Sequence, residues 1–181
     1  MLQECRSSTR LSHAGTHLPA RPYTDPEIQA IFTRKIGATW RPRKFGDFGL
    51  ALLPAAISPP ASPSTWAYSD LPSSLDLSTL TWVGYICIRD ALTTSLTSAV
   101  EASPGGAADY PPFEDMIEIK YGLHESGWGK GFVPEAVKAL QEWSVRDFGI
   151  RRFIGCTHPD NEASARVLTK LGYRETEVSC G

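Results

Sequence analysis

The stretch His124–Leu140, HESGWGKGFVPEAVKAL, places Gly127, Gly129 and Gly131 within five positions, directly ahead of an amphipathic run. Glycine loses more backbone freedom on folding than any other residue, so such a cluster at the head of a helix calls for compensation. A helix N-terminus offers unpaired N–H groups and the positive end of the peptide dipole, which together make an anion site. The stretch therefore predicts a loop-to-helix junction built to hold a phosphate.

Spacing decides which phosphate. A nucleotide-triphosphate loop needs Gly-x4-Gly-Lys-Ser/Thr. Around Gly129-Lys130, the required glycine is replaced by His124 and the required hydroxyl by Gly131. A dinucleotide fold needs G-x-G-x-x-G and an acidic residue closing the next strand. Here the spacing is Gly127-x-Gly129-x-Gly131, and the following run, RRFIGCTH, ends without an acid.

Composition narrows the class further. A chain of 181 residues, 41% hydrophobic and 21% charged, suits one globular domain with its own core. A formal charge of −2 argues against nucleic acid as a partner, and no apolar run approaches the roughly 20 residues that cross a bilayer, so no membrane partner is expected. Cys5, Cys87, Cys156 and Cys180 lack paired spacing, and His13, His17, His124 and His158 lack ligand spacing. No metal is expected, and free thiols in apolar runs point to a reducing, cytoplasmic setting. Residues 1–17 have no apolar signal core and read as a disordered tail.

Along the chain, Thr24-Asp25-Pro26-Glu27 reads as a capping box opening a helix to about Thr33. Residues 37–80 read as irregular, with a Pro/Ser/Ala-rich piece at 53–67. The run 82–88 is aromatic and β-branched, hence a strand. Residues 91–113 carry Pro104-Gly105-Gly106 and Pro111-Pro112 and read as an inserted hairpin tip. Met116–Leu123 alternates as a strand with one covered face. Val137, Leu140, Trp143/Ser144 and Phe148 form the buried stripe of the next helix, which Gly149 stops. Arg152–Thr157 is a further strand, and Asn161 caps a helix ending at Gly172. Strand, strand, glycine loop, helix, strand, helix is an α/β arrangement, a single domain over 18–181.

Two blocks carry a family resemblance. Ser126-Gly-Trp-Gly-Lys-Gly131, with Phe132 and Glu135-Ala136, resembles the phosphate loop of the GNAT acetyltransferase superfamily. Asn161-Glu-Ala-Ser164 and Val167-Leu-Thr-Lys-Leu-Gly-Tyr173 match its later helix, and together the blocks look like the RimJ/RimL-type branch. The resemblance is dense over about 116–174 and thin elsewhere. It implies a central twisted mixed sheet with helices on both faces, and acetyl-CoA held in a splay between two parallel strands, Met116–Leu123 and Arg152–Thr157. Backbone groups of Ser126, Gly127, Trp128, Gly129, Lys130 and Gly131 would hold the pyrophosphate, and the N–H near Leu123 would face the thioester carbonyl. Asn161, Ser164 and Arg166 would meet the rest of the cofactor, although Asn161 is already explained as a cap and Arg166 as part of a solvated basic face.

The implied reaction is transfer of the acetyl group to a primary amine, of a small molecule or a protein N-terminus, by a monomer or homodimer. Glu118 is the first choice of proton acceptor, with an ordinary solvent-facing carboxylate as the competing reading. His124 and Tyr121 are the other candidates for proton transfer, and Tyr173 occupies a packing position. The family's usual tyrosine acid is Leu168 here, as is common in this branch. Past Tyr173 the resemblance implies a final strand that eight remaining residues do not supply, so the chain reads as shortened, with an unpaired edge. A degenerate domain that binds coenzyme A without turnover is the alternative.

Overall fold

Residues 2–6, 24–35, 37, 40–41, 44–54 and 75–176 are described by the computed structural model. Its strands are β1 (Leu2–Arg6), β2 (Asp47–Leu52), β3 (Thr81–Arg89), β4 (Met116–Leu123), β5 (Arg152–Thr157) and β6 (Arg174–Thr176). They form one mixed sheet in the order β2-β3-β4-β5-β1-β6. The helices are α1 (Asp25–Lys35), α2 (Thr97–Ala102), α3 (Phe132–Phe148) and α4 (Glu162–Lys170).

The period-two alternation of β4 and β5 sorts their side chains onto two faces. Ile117, Ile119 and Phe153 meet Val133, Val137 and Leu140 of α3 and Leu168 of α4 in one buried cluster. Met116 and Ile154 point the other way and pack with Ala91, Leu96 and Val100, the last from α2. Helical segments thus cover both faces. Each large aliphatic side chain so buried contributes about 1.5–3 kcal/mol relative to exposure. At one flank, Phe45 stacks against Phe148 with centroids 4.3 Å apart and meets Trp143 at 5.7 Å, tying the segment before β2 to α3.

The helix ends follow local chemistry. The Glu27 carboxylate accepts from both the N–H and the hydroxyl of Thr24, at 2.8 and 2.9 Å, and α1 continues to Lys35, slightly past the expected Thr33. Gly149 closes α3 in the left-handed region at φ 70°, with its N–H returned to Ser144 and Val145. Val133, Val137, Leu140 and Ser144 are the buried positions of α3, while Phe148 sits at the rim.

Four expectations need correction. The span 91–113 is no hairpin tip: Asp90 caps a 3-10 turn over Ala91–Thr93, α2 follows, and Asp109 ties Ser103 and Gly105 around a second turn. Prolines and glycines there end short helices rather than turning a hairpin. Within 37–80, β2 pairs antiparallel with β3, and Gly49 leaves room for the Trp82 ring that lies over it; of the Pro/Ser/Ala-rich piece at 53–67, residues 55–67 lie outside the described residues. The tail reading of 1–17 fails at Leu2–Arg6, which pairs parallel with β5. The strand β6 follows Tyr173, and its partner is β1, lying between it and β5.

Candidate active site

The strand β4 is in register on both sides only at Glu118. Its antiparallel ladder with β3 runs from Arg89↔Glu118 to Gly84↔Leu123, whereas its parallel register with β5 runs only from Met116↔Arg152 to Glu118↔Ile154. At the far end, the N–H of His124 donates to the Val83 carbonyl at 2.8 Å. Antiparallel ladders alternate. The N–H groups of Tyr121 and Leu123 are therefore turned toward the side where β5 has parted from β4.

The glycine loop follows at once. Gly127 and Trp128 close a short 3-10 turn on His124 and Glu125, and the His124 imidazole Nδ1 lies 2.9 Å from the Ser126 hydroxyl and accepts from the Ser126 N–H. The Trp128 indole, largely exposed, donates to the Leu123 carbonyl at 3.2 Å. Gly129 and Gly131 then take φ of 71° and 82°. This left-handed region is costly for residues with a Cβ, and nothing lies within 4 Å of where a Cβ would stand at either glycine. Among the described residues, no acceptor meets the N–H groups of Gly129, Lys130, Gly131, Phe132 and Val133. Proline follows as Pro134, so the head of α3 carries a run of N–H groups without an intrahelical acceptor.

At the other end of β4 the polar chemistry is closed in. Glu118 is 2% exposed, so neither a solvent-facing carboxylate nor one covered face describes β4 here. One Glu118 oxygen accepts from the Thr94 hydroxyl at 2.8 Å, the other from the Ser95 hydroxyl at 2.7 Å. Thr94 is exposed and Ser95 half-buried, so the carboxylate reaches the surface through two hydroxyls. Arg89, its register partner on β3, feels its charge. Cys156 on β5, two residues beyond the last β4–β5 pair, lies near both Ser95 and Glu118. Burial, and then the Glu118 charge, push the Cys156 thiol up to about 12. Thr94 and Ser95 carry no sequence signal beyond a Thr-Thr-Ser run, because only the fold brings them to Glu118.

The remaining candidates lie on the α3–α4 face. The Tyr121 hydroxyl reaches the Ser164 carbonyl at 3.5 Å, a long contact spanning from β4 to α4. Asn161 caps α4, its side chain accepting from the Ser164 N–H at 3.1 Å. Arg166 is exposed and pairs with Glu162 at 3.0 Å. Tyr173 is buried and accepts from Gln141 at 3.0 Å; burial raises its hydroxyl well above the usual tyrosine range. The Thr157 hydroxyl, at the end of β5, is buried without a hydrogen-bond partner.

Open donors at a helix head, a buried carboxylate and parted parallel strands thus meet along β4. His124 and the loop cluster at its C-terminal end, Glu118 lies where its register with β5 ends, and Arg166 is on a separate exposed helix face. Among the described residues, no group of three His, Cys, Asp or Glu could hold a metal ion, and no helix is long and apolar enough to cross a membrane.

The chain is 33% identical over 58 residues to the uncharacterized N-acetyltransferase p20 of Bacillus licheniformis, covering 32% of this chain and 33% of that protein. It is 31% identical over 61 residues to the uncharacterized N-acetyltransferase YnaD of Bacillus subtilis strain 168, covering 34% and 36%. The aligned part spans about a third of the length of either relative. A crystal structure of a GNAT-family acetyltransferase from Bacillus anthracis superposes with TM-score 0.49 at 17% identity, over 87% of this chain and 64% of that one, a likeness on which nothing further rests. The family model described as "Acetyltransferase (GNAT) domain" matches residues 80–174, just over half of the chain, from the start of β3 to the start of β6. The chain belongs to the GNAT acetyltransferase family.

Proposed function

We propose that this protein is an acetyl-CoA-dependent N-acetyltransferase of the RimJ/RimL-type branch, acting on a primary amine of a small molecule or a protein N-terminus. The observation that carries the reading is the unbroken run of unpartnered N–H groups from Gly129 to Val133, beside the point where β4 and β5 part. Backbone donors in that geometry suit a diphosphate. The open space before Gly129 and Gly131 admits phosphate oxygens, and the orphaned Thr157 hydroxyl suits a ligand that brings its own polar groups. Residues Ser126 to Gly131 would hold the pyrophosphate, with Asn161 and Ser164 beside the arm. In the register beyond Glu118↔Ile154, an extended arm has strand edges to pair with.

Acetyl-CoA supplies the activated thioester, and the chain's own groups do the rest. The Leu123 N–H, turned to the gap, stabilises negative charge on the carbonyl oxygen as the amine attacks. The new N–C bond forms as the C–S bond breaks. The amine's proton passes to the Ser95 hydroxyl, which gives its own to Glu118; a buried carboxylate with a hydroxyl on each oxygen is reached more readily by relay than by direct contact. Tyr121 lies on the opposite face of the sheet and donates a proton to the departing thiolate. Acceptor and donor then flank the gap from opposite sides. His124, with its Nδ1 taken up by Ser126, is left to shape the loop. A cytoplasmic protein, monomeric or homodimeric, without metal, nucleic-acid or membrane partners, fits this reading.

The alternative, a coenzyme A-binding domain without turnover, is favoured by the burial of Glu118. Thiol release measured with acetyl-CoA and a panel of primary amines separates the two. Amine-dependent release is expected; coenzyme A binding with no amine-dependent release would leave the non-catalytic reading in place.

A further inference from the structure

In the sheet register, Tyr85 on β3 stands between two glycines, Gly49 on β2 and Gly122 on β4. The space over Gly49 is filled by the Trp82 ring. The Tyr85 ring lies the other way, across β4. Its nearest ring carbon is 2.6 Å, and its hydroxyl oxygen 3.3 Å, from where a Gly122 Cβ would stand. Any other residue at 122 would push the ring aside. Glycine weakens a strand interior, so one kept there marks a close approach, and here the approach is that of Tyr85.

What Gly122 makes room for is a hydroxyl as well as a ring. Phenylalanine would lay the same ring in the same place, and a tyrosine hydroxyl taken out of water usually finds a hydrogen-bond partner. Tyr85 is half-buried, and among the described residues its hydroxyl has no such partner. Burial is the main cause that raises this hydroxyl above the usual tyrosine range, so it keeps its proton near neutral pH.

Strand alternation fixes the face on which it lies. Tyr85 shares a face of β3 with Arg89, whose register partner is Glu118. Tyr85, Gly122 and Glu118 are therefore on the face that carries Met116 and packs toward α2. Tyr121 is on the opposite face. The Tyr85 hydroxyl thus stands over the end of β4, one residue from the Leu123 N–H proposed to meet the thioester carbonyl, on the side from which Glu118 is reached.

We infer that Tyr85 is an acceptor-binding residue, whose hydroxyl oxygen accepts a hydrogen bond from the N–H of the attacking primary amine. That bond holds the nitrogen with its lone pair toward the thioester carbon. Tyr85 keeps its own proton, and the proton the amine loses still passes to Ser95 and Glu118 on the same face. The inference rests on the proposed acetyl transfer and adds to it the group that meets the acceptor.

The test uses Tyr85→Phe on the full chain, with acetyl-CoA and three probe amines: butylamine, putrescine and a glycine tripeptide. Thiol release should show kcat/KM for the amine lowered about 3- to 10-fold, the worth of one hydrogen bond. Coenzyme A affinity by calorimetry should stay within about 2-fold of wild type. The melting temperature should not change, because the hydroxyl has no partner among the described residues. Gly122→Ala, whose methyl group takes the place of the ring, should lower amine turnover in the same way and spare coenzyme A binding. Full amine turnover in either variant would overturn the inference. So would a Tyr85→Phe chain that melts about 2–4 °C lower, the sign of a hydrogen bond within the protein. A wild-type chain that binds coenzyme A and transfers to none of the three amines would bring down the transfer reading itself, and this inference with it.

Discussion

The two halves of β4 differ in nearly every respect, although they belong to one eight-residue strand. Met116–Ile119 is buried, with Met116–Glu118 in register with β5 and the β3 ladder taking over at Glu118, while Lys120–Leu123 is half-buried and flanked by β3 alone. In the first half the charged group Glu118 has a hydroxyl on each oxygen; beyond the second, a row of backbone donors has no protein acceptor among the described residues. Under the proposed function, the satisfied end holds the proton acceptor and the open end takes the ligand.

The largest expected effect tests the open half. Gly129→Glu puts a carboxylate before the donors and a side chain on a backbone at φ 71°. Coenzyme A affinity by calorimetry should fall by about 100-fold or more, since charge repulsion adds to the loss of donor access. Gly129→Ala, which carries only the backbone strain of about 1–2 kcal/mol, separates the two causes. Equal affinity in Gly129→Glu and wild type would remove the phosphate loop from the site.

A smaller effect tests the closed half. Glu118→Gln should lower kcat by about 100-fold, the usual scale for loss of a proton acceptor, while leaving coenzyme A affinity within about 2-fold. If turnover is unaltered, the carboxylate is an anchor between β4 and the turn before α2, and the halves of β4 do not divide labour as argued.

The smallest effect concerns Cys156, which lies where the two halves meet. Its thiol, pushed up to about 12 by burial first and the Glu118 charge second, stays protonated in the folded chain over a range where the unfolded chain's thiol ionises. The folded state then binds more protons, so its stability falls as pH rises from about 9 toward about 12. Thermal melts should show that alkaline loss, and it should be reduced in Cys156→Ala. Iodoacetamide at pH 8 should leave the native Cys156 thiol largely unmodified, because the thiolate is the nucleophile; rapid labelling of Cys156 would contradict its raised pKa.

How far the sequence reaches depends on whether a signal is local. The glycine loop, the stop at Gly149 and the Asn161 cap are read from neighbouring residues, and the structure forms each of them. The strands 116–123 and 152–157 were legible to the residue because alternation and length agree. By contrast, β2 runs through Gly49, a residue that weakens a strand signal in the sequence and whose purpose is visible only once Trp82 lies over it. The helical form of 91–109 was hidden by prolines and glycines that mark turns without saying of what kind. Glu118 could be singled out by its place in the strand, but its burial could not, because Thr94 and Ser95 reach it from 24 and 23 residues away. Nothing in the first six residues announces a strand. Its partners stand near the other end of the chain.

That last pairing has a kinetic consequence. Leu2 registers with Phe153, so β1 leaves the ribosome roughly 150 residues ahead of the strand it lies beside. At ordinary rates of synthesis it waits roughly 8–30 s without its neighbours, and the sheet cannot be completed until β5 and β6 have emerged. Contacts so distant in sequence slow folding, since loop closure must precede their reward. The β1 pairing thus joins the sheet after its β2-β3-β4 part is available.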